Sequence, residues 1–247
     1  MDIFILIVAS ALADSPSPIA YQSQPFPQSV GFYSEGTLVS PDRLPDDLPG
    51  LTKLFRPRDR RYGALELIST LENAAAQESR DFPGEEPLQV GDTAGALGGP
   101  ISGHDSHQNG LDADLAYFRK DHRAIDPNQT DGFFLDGSQL NYAKGGKLDP
   151  LFDIERNFHL LDLVFSTGLL NRVFMDPLFK KSFCDYADDQ GILAEKTELL
   201  RHFRPLSGHQ DHMHVRLNCP RNSPACKPQD PPPAGNGCDS IDSLAIE

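Results

Sequence analysis

The chain reads as an α+β protein, with a central antiparallel sheet flanked by helices and long loops. Three observations predict this. Some segments carry apolar residues at helical spacing, and others alternate apolar and polar residues as strands do. No repeat or linker divides them, so residues 14–247 read as one domain. The 21 Pro and 20 Gly, with no Trp, fit short elements joined by many loops.

The elements follow in order. Residues 15–50 are rich in Pro, Ser and Asp, with one strand-like phrase, SVGFYSEGTLVS, split at Glu35-Gly36 as in a hairpin. In YGALELISTLENAAAQ, the spacing of Leu65, Ile68, Leu71 and Ala75 predicts an amphipathic helix over residues 62–77. PLQVGD predicts a short strand. In GLDADLAYF, Leu111, Ala113 and Leu115 fall on one face of a strand, and Asp112 and Asp114 on the other. Residues 119–150 form a long polar excursion. DIERNFHLLDLVFSTG predicts a helix with Ile154, Phe158, Leu161 and Phe165 on its apolar face and Gly168 at its end. NRVFMDP and HMHVRL predict strands, PLFKKSFCDYA a helix opened by Pro177, and EKTELLRHF a further helix.

Lys and Arg number 22 against 36 Asp and Glu, a formal net charge of −14. The pI is about 4.9 and the mean hydropathy −0.40. Such an acidic chain disfavours a nucleic-acid partner, whose phosphates seek basic faces. It also disfavours docking on an anionic membrane surface. The start, MDIFILIVASALAD, has an apolar run too short to span a bilayer. With the small residues that follow, it reads as a signal peptide cut after Ala13, although Asp2 stands where a basic residue is usual. No integral membrane span is expected.

Cys184, Cys219, Cys226 and Cys238 include no C-x-x-C pair, so a cysteine-type zinc site is not expected. Three of the four lie in the tail CPRNSPACKPQDPPPAGNGC, which is too polar and Pro-rich to pack a core. Disulfides would order it, each contributing about 2–4 kcal/mol, and would imply an oxidising compartment. The alternative is a disordered tail with free thiols. Spacing does not choose among the possible pairings.

Five of the 8 histidines fall in two stretches, GHDSHQNGLDADL (residues 103–115) and GHQDHMHVRL (residues 208–217). As a strand, HMHVRL projects His212, His214 and Arg216 from one face and Met213, Val215 and Leu217 from the other. The first stretch projects Asp114 likewise, and a reversal at Gly110 can bring His107 to it. Two imidazole nitrogens and one carboxylate oxygen make a three-ligand zinc set. The fourth position stays open to water, which distinguishes a catalytic site from a structural one. A lone His-x-His on a strand is more often just a polar face; the pairing with the first stretch points to metal. There is no H-E-x-x-H, so this is not a helix-borne metalloprotease site.

GHDSHQNGLDADL and GHQDHMHVRLNCP resemble the two signature stretches of the penicillin-insensitive murein endopeptidases. That group belongs with the lysostaphin, D-Ala-D-Ala-peptidase and hedgehog-like zinc folds. QSVGFYSEGTLVSPDRLP, RRYG, and RLNCPRNSPAC with GNGC extend the likeness, in order, from residue 28 to the end around a divergent middle. The resemblance implies His107, Asp114 and His214 as zinc ligands and His212 as the catalytic imidazole. It puts His104 and His209 close to the metal, as occasional ligands, as supports of the ligands or as substrate contacts. His209 is the alternative catalytic imidazole. Asp112 would orient an imidazole N–H or be a solvated strand acid. Arg216 would contact a substrate carboxylate or pair with a nearby acid. The implied disulfides are Cys219 with Cys226 and Cys184 with Cys238. Relatives carry a D-G-K-H stretch that can hold a second metal. The nearest segment here is KGGKLDP, with Gly145 and Leu148 at those places, so one zinc is expected.

The implied activity is hydrolysis of the D-alanyl–meso-diaminopimelyl cross-link between peptidoglycan stem peptides, in the periplasm. Zinc in an open site lowers the pKa of its water to about 7 and polarises a carbonyl. No Ser-x-x-Lys is present for a β-lactam to acylate, which fits penicillin insensitivity. Two other readings stand beside this one: a D-Ala carboxypeptidase or dipeptidase of the same fold, and a zinc-bearing binding module without activity. His212 argues against the module, because binding alone needs no spare imidazole.

Overall fold

A computed structural model describes residues 26–135, 138–139 and 143–241, so the expected leader lies outside the described residues. Its centre is a seven-stranded sheet. In chain order the strands are β1 (Asp47–Leu48), β2 (Leu51–Lys53), β3 (Leu88–Val90), β4 (Asp112–Ala116), β5 (Leu170–Met175), β6 (Phe203–Pro205) and β7 (His212–Leu217). In space they run β6-β5-β7-β4-β3-β2-β1. The run β5-β7-β4-β3 is antiparallel, as expected. The flanks make the sheet mixed, because β6 is parallel to β5 and β2 to β3. Parallel neighbours need a crossover connection. The helices supply it: α1 (Leu65–Asp81) between β2 and β3, and α3 (Pro177–Asp189) with α4 (Thr197–Arg201) between β5 and β6.

One face of the sheet is the core. Leu111, Ala113, Leu115, Met213, Val215 and Leu217 form one buried cluster with Leu67, Leu71, Phe158, Leu161, Phe179 and Phe183 of the helices. α2 (Ile154–Ser166) opens on Asp153, whose side chain accepts from Arg156 N, and Gly168 follows its end at φ 70°. α3 opens on Asp176 and Pro177, with the Asp176 side chain accepting from Leu178 N.

Two boundaries differ from the sequence reading. α1 begins at Leu65, not at residue 62, because Tyr62 and Gly63 pair with Asp42 and Arg43. Its buried stripe includes Leu67 and Ala74, and Leu65 is exposed. The N-terminal hairpin turns at Tyr33-Ser34 rather than at Glu35-Gly36, so Phe32 pairs with Glu35. The cause is tertiary: the Tyr33 ring is fully buried and its hydroxyl donates to Leu217 O at 3.0 Å.

That hairpin covers the sheet's second face. Leu38 N donates to Leu97 O, Gly99 N to Gly36 O and Gln108 N to Tyr33 O. The tail beyond β7 is also tied down, through Cys219–Cys226 and Cys184–Cys238, the pairing that the resemblance implies. Between the two bridges it forms a strap whose backbone carbonyls accept from basic side chains of the domain. Arg172 donates to Asp230 O, Arg201 to Pro232 O and Lys180 to Asn236 O.

Candidate active site

β7 and β4 pair with His214 opposite Asp114, Arg216 opposite Asp112 and His212 opposite Ala116. Strand alternation therefore puts two acids, two imidazoles and a guanidinium on one face. His107 enters from the preceding loop. It holds φ 66°, a left-handed conformation that costs a non-glycine residue on the order of 1–3 kcal/mol. Asp112 Oδ2 supports it by accepting from His107 N at 3.2 Å. Gly110 then reverses the chain at φ 71°, where a Cβ would sit 2.5 Å from Leu38 Cδ2.

Four imidazoles meet one carboxylate. Asp114 Oδ1 lies 3.3 Å from His107 Nε2, 3.6 Å from His214 Nδ1 and 3.7 Å from His212 Nε2. Asp114 Oδ2 lies 3.7 Å from His104 Nδ1. Among the described residues, Asp114 Oδ1 and both ring nitrogens of His107 are buried without a hydrogen-bond partner. Each such atom costs about 1–3 kcal/mol when left unsatisfied, and a cation between them would relieve Asp114 Oδ1 and His107 Nε2, the nitrogen that faces it. Donor atoms of His104, His107 and Asp114 lie within 4.8 Å of one another, and His214 adds Nδ1 at the same carboxylate oxygen. A second set, Glu85, Glu86 and His122, lies elsewhere; there Arg156 already engages Glu86 at 2.5 Å.

His214 Nε2 lies 2.7 Å from Asp112 Oδ1, which also accepts from Arg216 Nε at 2.6 Å. Burial alone would raise the Asp112 pKa, but Arg216 and His214 hold it far below the usual carboxylate range. An ionised Asp112 makes His214 Nε2 the protonated nitrogen, so the Nδ1 lone pair faces Asp114. Burial pushes the His214 pKa down to about 3, keeping the ring in the neutral form that binds metals. Asp112 is thus no solvated strand acid, and Arg216 pairs with it. Burial would also raise the Asp114 pKa, yet the surrounding histidines, His107 first, hold it well below the usual range.

The His212 ring stacks on Phe133 at 4.9 Å and 14°. Its Nδ1 lies 2.8 Å from Asp211 Oδ1, which leaves Nε2 facing the cleft and Asp114. Burial opposes its charged form, but Asp114 and Asp211 outweigh this and raise its pKa. His209 lies beside it, rings 5.1 Å apart, with Nδ1 3.2 Å from Leu206 O and a pKa lowered by burial to about 4. His104 Nε2 lies 3.1 Å from Asp92 Oδ2, an oxygen that also accepts from Arg58 at 2.8 Å and Arg60 at 3.0 Å.

The cluster sits where two arms of a cleft meet, each of about 510 Å³ and both lined by Gly103, His104, Gly208 and His212. One arm adds Ser34, Phe174 and Arg216; the other adds Arg58, Arg60 and Phe133. Sequence reasoning missed Asp211, Asp92 and Phe133. Asp211 carried a signal, an acid beside His212. Asp92 and Phe133 come from a loop and from the polar excursion, where nothing in the pattern marks them.

Comparison with known proteins defines the class first: the chain is a peptidase. The family model described as penicillin-insensitive murein endopeptidase matches residues 29–246, and the chain belongs to that family. It is 30% identical over 239 residues to the penicillin-insensitive murein endopeptidase of Klebsiella pneumoniae, covering 95% of this chain and 83% of that protein. To the protein of the same description from Haemophilus influenzae it is 31% identical, covering 90% and 77%. To that of Yersinia enterocolitica it is 30% identical, covering 95% and 82%.

Proposed function

We propose that this chain is a zinc-dependent murein endopeptidase that hydrolyses D-alanyl–meso-diaminopimelyl cross-links and is insensitive to penicillin. The observation that supports the metal is the convergence of His107, Asp114 and His214, where His107 Nε2 and Asp114 Oδ1 are buried with no hydrogen-bond partner among the described residues. His107 Nε2, Asp114 and His214 Nδ1 would hold one zinc, with His104 near enough to join them or to meet the substrate. Zinc, when bound, supplies Lewis-acid polarisation of the scissile carbonyl and an acidified water.

The chain's own residues do the rest. His212 Nε2 takes the proton of the attacking water and returns it to the leaving amine. Asp211, on Nδ1, steadies the imidazolium formed in between, and Phe133 fixes the plane of the ring. Burial keeps His209 neutral with Nδ1 turned to Leu206 O, so it can serve only as an acceptor.

The two-armed cleft favours an endopeptidase over the carboxypeptidase reading, since a cross-link continues on both sides of the scissile bond. Two disulfides and a murein substrate favour export to the periplasm, with residues 1–13 as the leader and one peptidase domain after it. The test is digestion of a purified cross-linked muropeptide dimer with parallel metal analysis. Monomers carrying a free diaminopimelyl amine support the proposal. Free D-alanine alone would mark a carboxypeptidase, and zinc uptake without any product would mark a binding module.

A further inference from the structure

A chain of buried contacts runs from the site to the Pro-rich strap. Asp112 Oδ1 accepts from both His214 Nε2 and Arg216 Nε. The Arg216 guanidinium lies 4.2 Å from the Tyr33 ring centre and 5.1 Å from that of Phe174. Its Nη1 donates to Gln229 Oε1 at 2.8 Å. Asp112 is 0% exposed and Arg216 6%. Gln229 itself is held from both sides: Lys227 N donates to Gly31 O at 2.9 Å, and Arg172 donates to Asp230 O at 2.5 Å.

We infer that Gln229 is a positioning residue for the metal site, acting through Arg216 and Asp112 on the His214 imidazole. The inference rests on the ligand set proposed above. Its physical basis is the rigidity of the guanidinium, whose donors lie in one plane. With Nε committed to Asp112 on β4 and Nη1 to Gln229 on the strap, that plane is fixed. Asp112 Oδ1 then remains available to His214, and Oδ2 to His107 N. Without the Gln229 acceptor, the guanidinium is free to turn and take both carboxylate oxygens as a fork, the geometry Arg prefers with carboxylates. It then competes with His214 and His107 for Asp112. The Nδ1 lone pair of His214 loses its fixed aim at Asp114, and the disulfide-tied strap becomes a working part of the metal site.

The experiment compares wild type, Gln229→Leu and Gln229→Glu, all with disulfides intact. Zinc affinity is read by chelator competition. The His214 tautomer is read from imidazole ¹⁵N shifts in the metal-free protein. Gln229→Leu should weaken zinc about tenfold, the low end for residues standing behind ligands, and mix the two tautomers, with the thermal midpoint of the metal-free protein unchanged. Gln229→Glu keeps an oxygen acceptor and should restore both readouts. Wild-type affinity and tautomer in Gln229→Leu overturn the inference. Equal losses in Leu and Glu overturn it too, because packing rather than the bond would then be at work. A wild-type chain that takes up no zinc would sink the ligand assignment, and the metal-free tautomers would still decide the relay.

Discussion

His214 reaches diagonally across the strand pair to Asp112, Nε2 to Oδ1 at 2.7 Å, while the residue directly opposite it on β4 is Asp114. One imidazole is thereby divided between two acids. The diagonal neighbour takes the N–H, and the direct neighbour faces the lone pair.

Removing Asp112 should therefore act on metal and on stability at once. Asp112→Ala should weaken zinc by about 10–100-fold, as outer partners of ligands do. It should also destabilise the fold by about 3–5 kcal/mol, because Arg216 stays buried without its counter-charge. Asp112→Asn can offer its NH₂ to Nε2 and so favour the wrong tautomer, with a smaller stability loss. Chelator competition and urea unfolding separate the two effects. Full zinc affinity in Asp112→Asn would show that tautomer control is not its role.

Along β7 the two histidines should behave differently. His214→Ala should strip the metal. His212→Ala should keep metal and fold, and kcat on a cross-linked dimer should fall by about 10²–10⁴, the contribution of a positioned acid–base group. KM should move little, because the imidazole acts mainly in the transition state. Zinc lost from His212→Ala would make it a ligand instead. An unchanged kcat would pass its role to His209.

The bridges should differ in their weight. Cys184–Cys238 closes a sequence separation of 54 and Cys219–Cys226 one of 7. Chain-entropy scaling gives losses of about 4 and about 2 kcal/mol on removal. Serine pairs at each bridge, followed by denaturant unfolding, measure this. Mass mapping of a non-reduced digest should show no free thiol, and equal losses from the two pairs would argue against the entropic account.

Lys180 should leave a pH signature in stability. It is fully buried, donating to Leu200 O at 2.6 Å and Asn236 O at 2.5 Å, and burial lowers its pKa from 10.5 to about 7. Below that value both states carry the charge and the folded state bears the full burial penalty. Between the two pKa values the unfolded chain binds more protons, so stability rises with pH, by at most about 1.4 kcal/mol per unit. Relative to Lys180→Met, wild type should thus gain stability from about pH 7 to pH 9. Parallel slopes for the two proteins would show that the amine stays charged.

Much of this was legible because period and spacing are local. Alternation in GLDADLAYF and HMHVRL assigned Asp114 and His214 to faces, helical spacing located α1 and α2, and Pro177 marked the start of α3. The misses come from contacts distant in sequence. The hairpin turn shifted because Tyr33 packs under Leu217, and α1 lost its first turn to a strand pair with Asp42 and Arg43. The parallel edges of the sheet depend on which strands the helices connect, which no single segment encodes.

By itself the sequence determined the donor types, their spacing and the face each would occupy on its strand, because strand geometry alternates with a period of two wherever a strand forms. Only the tertiary structure decided their electrical state. The register of β7 on β4 sets His214 between two acids. The covering hairpin excludes water from Asp112, and the strap brings Gln229 to Arg216. Burial, charge and tautomer are properties of an enclosed volume, and that volume exists only once segments far apart in the chain have closed around it.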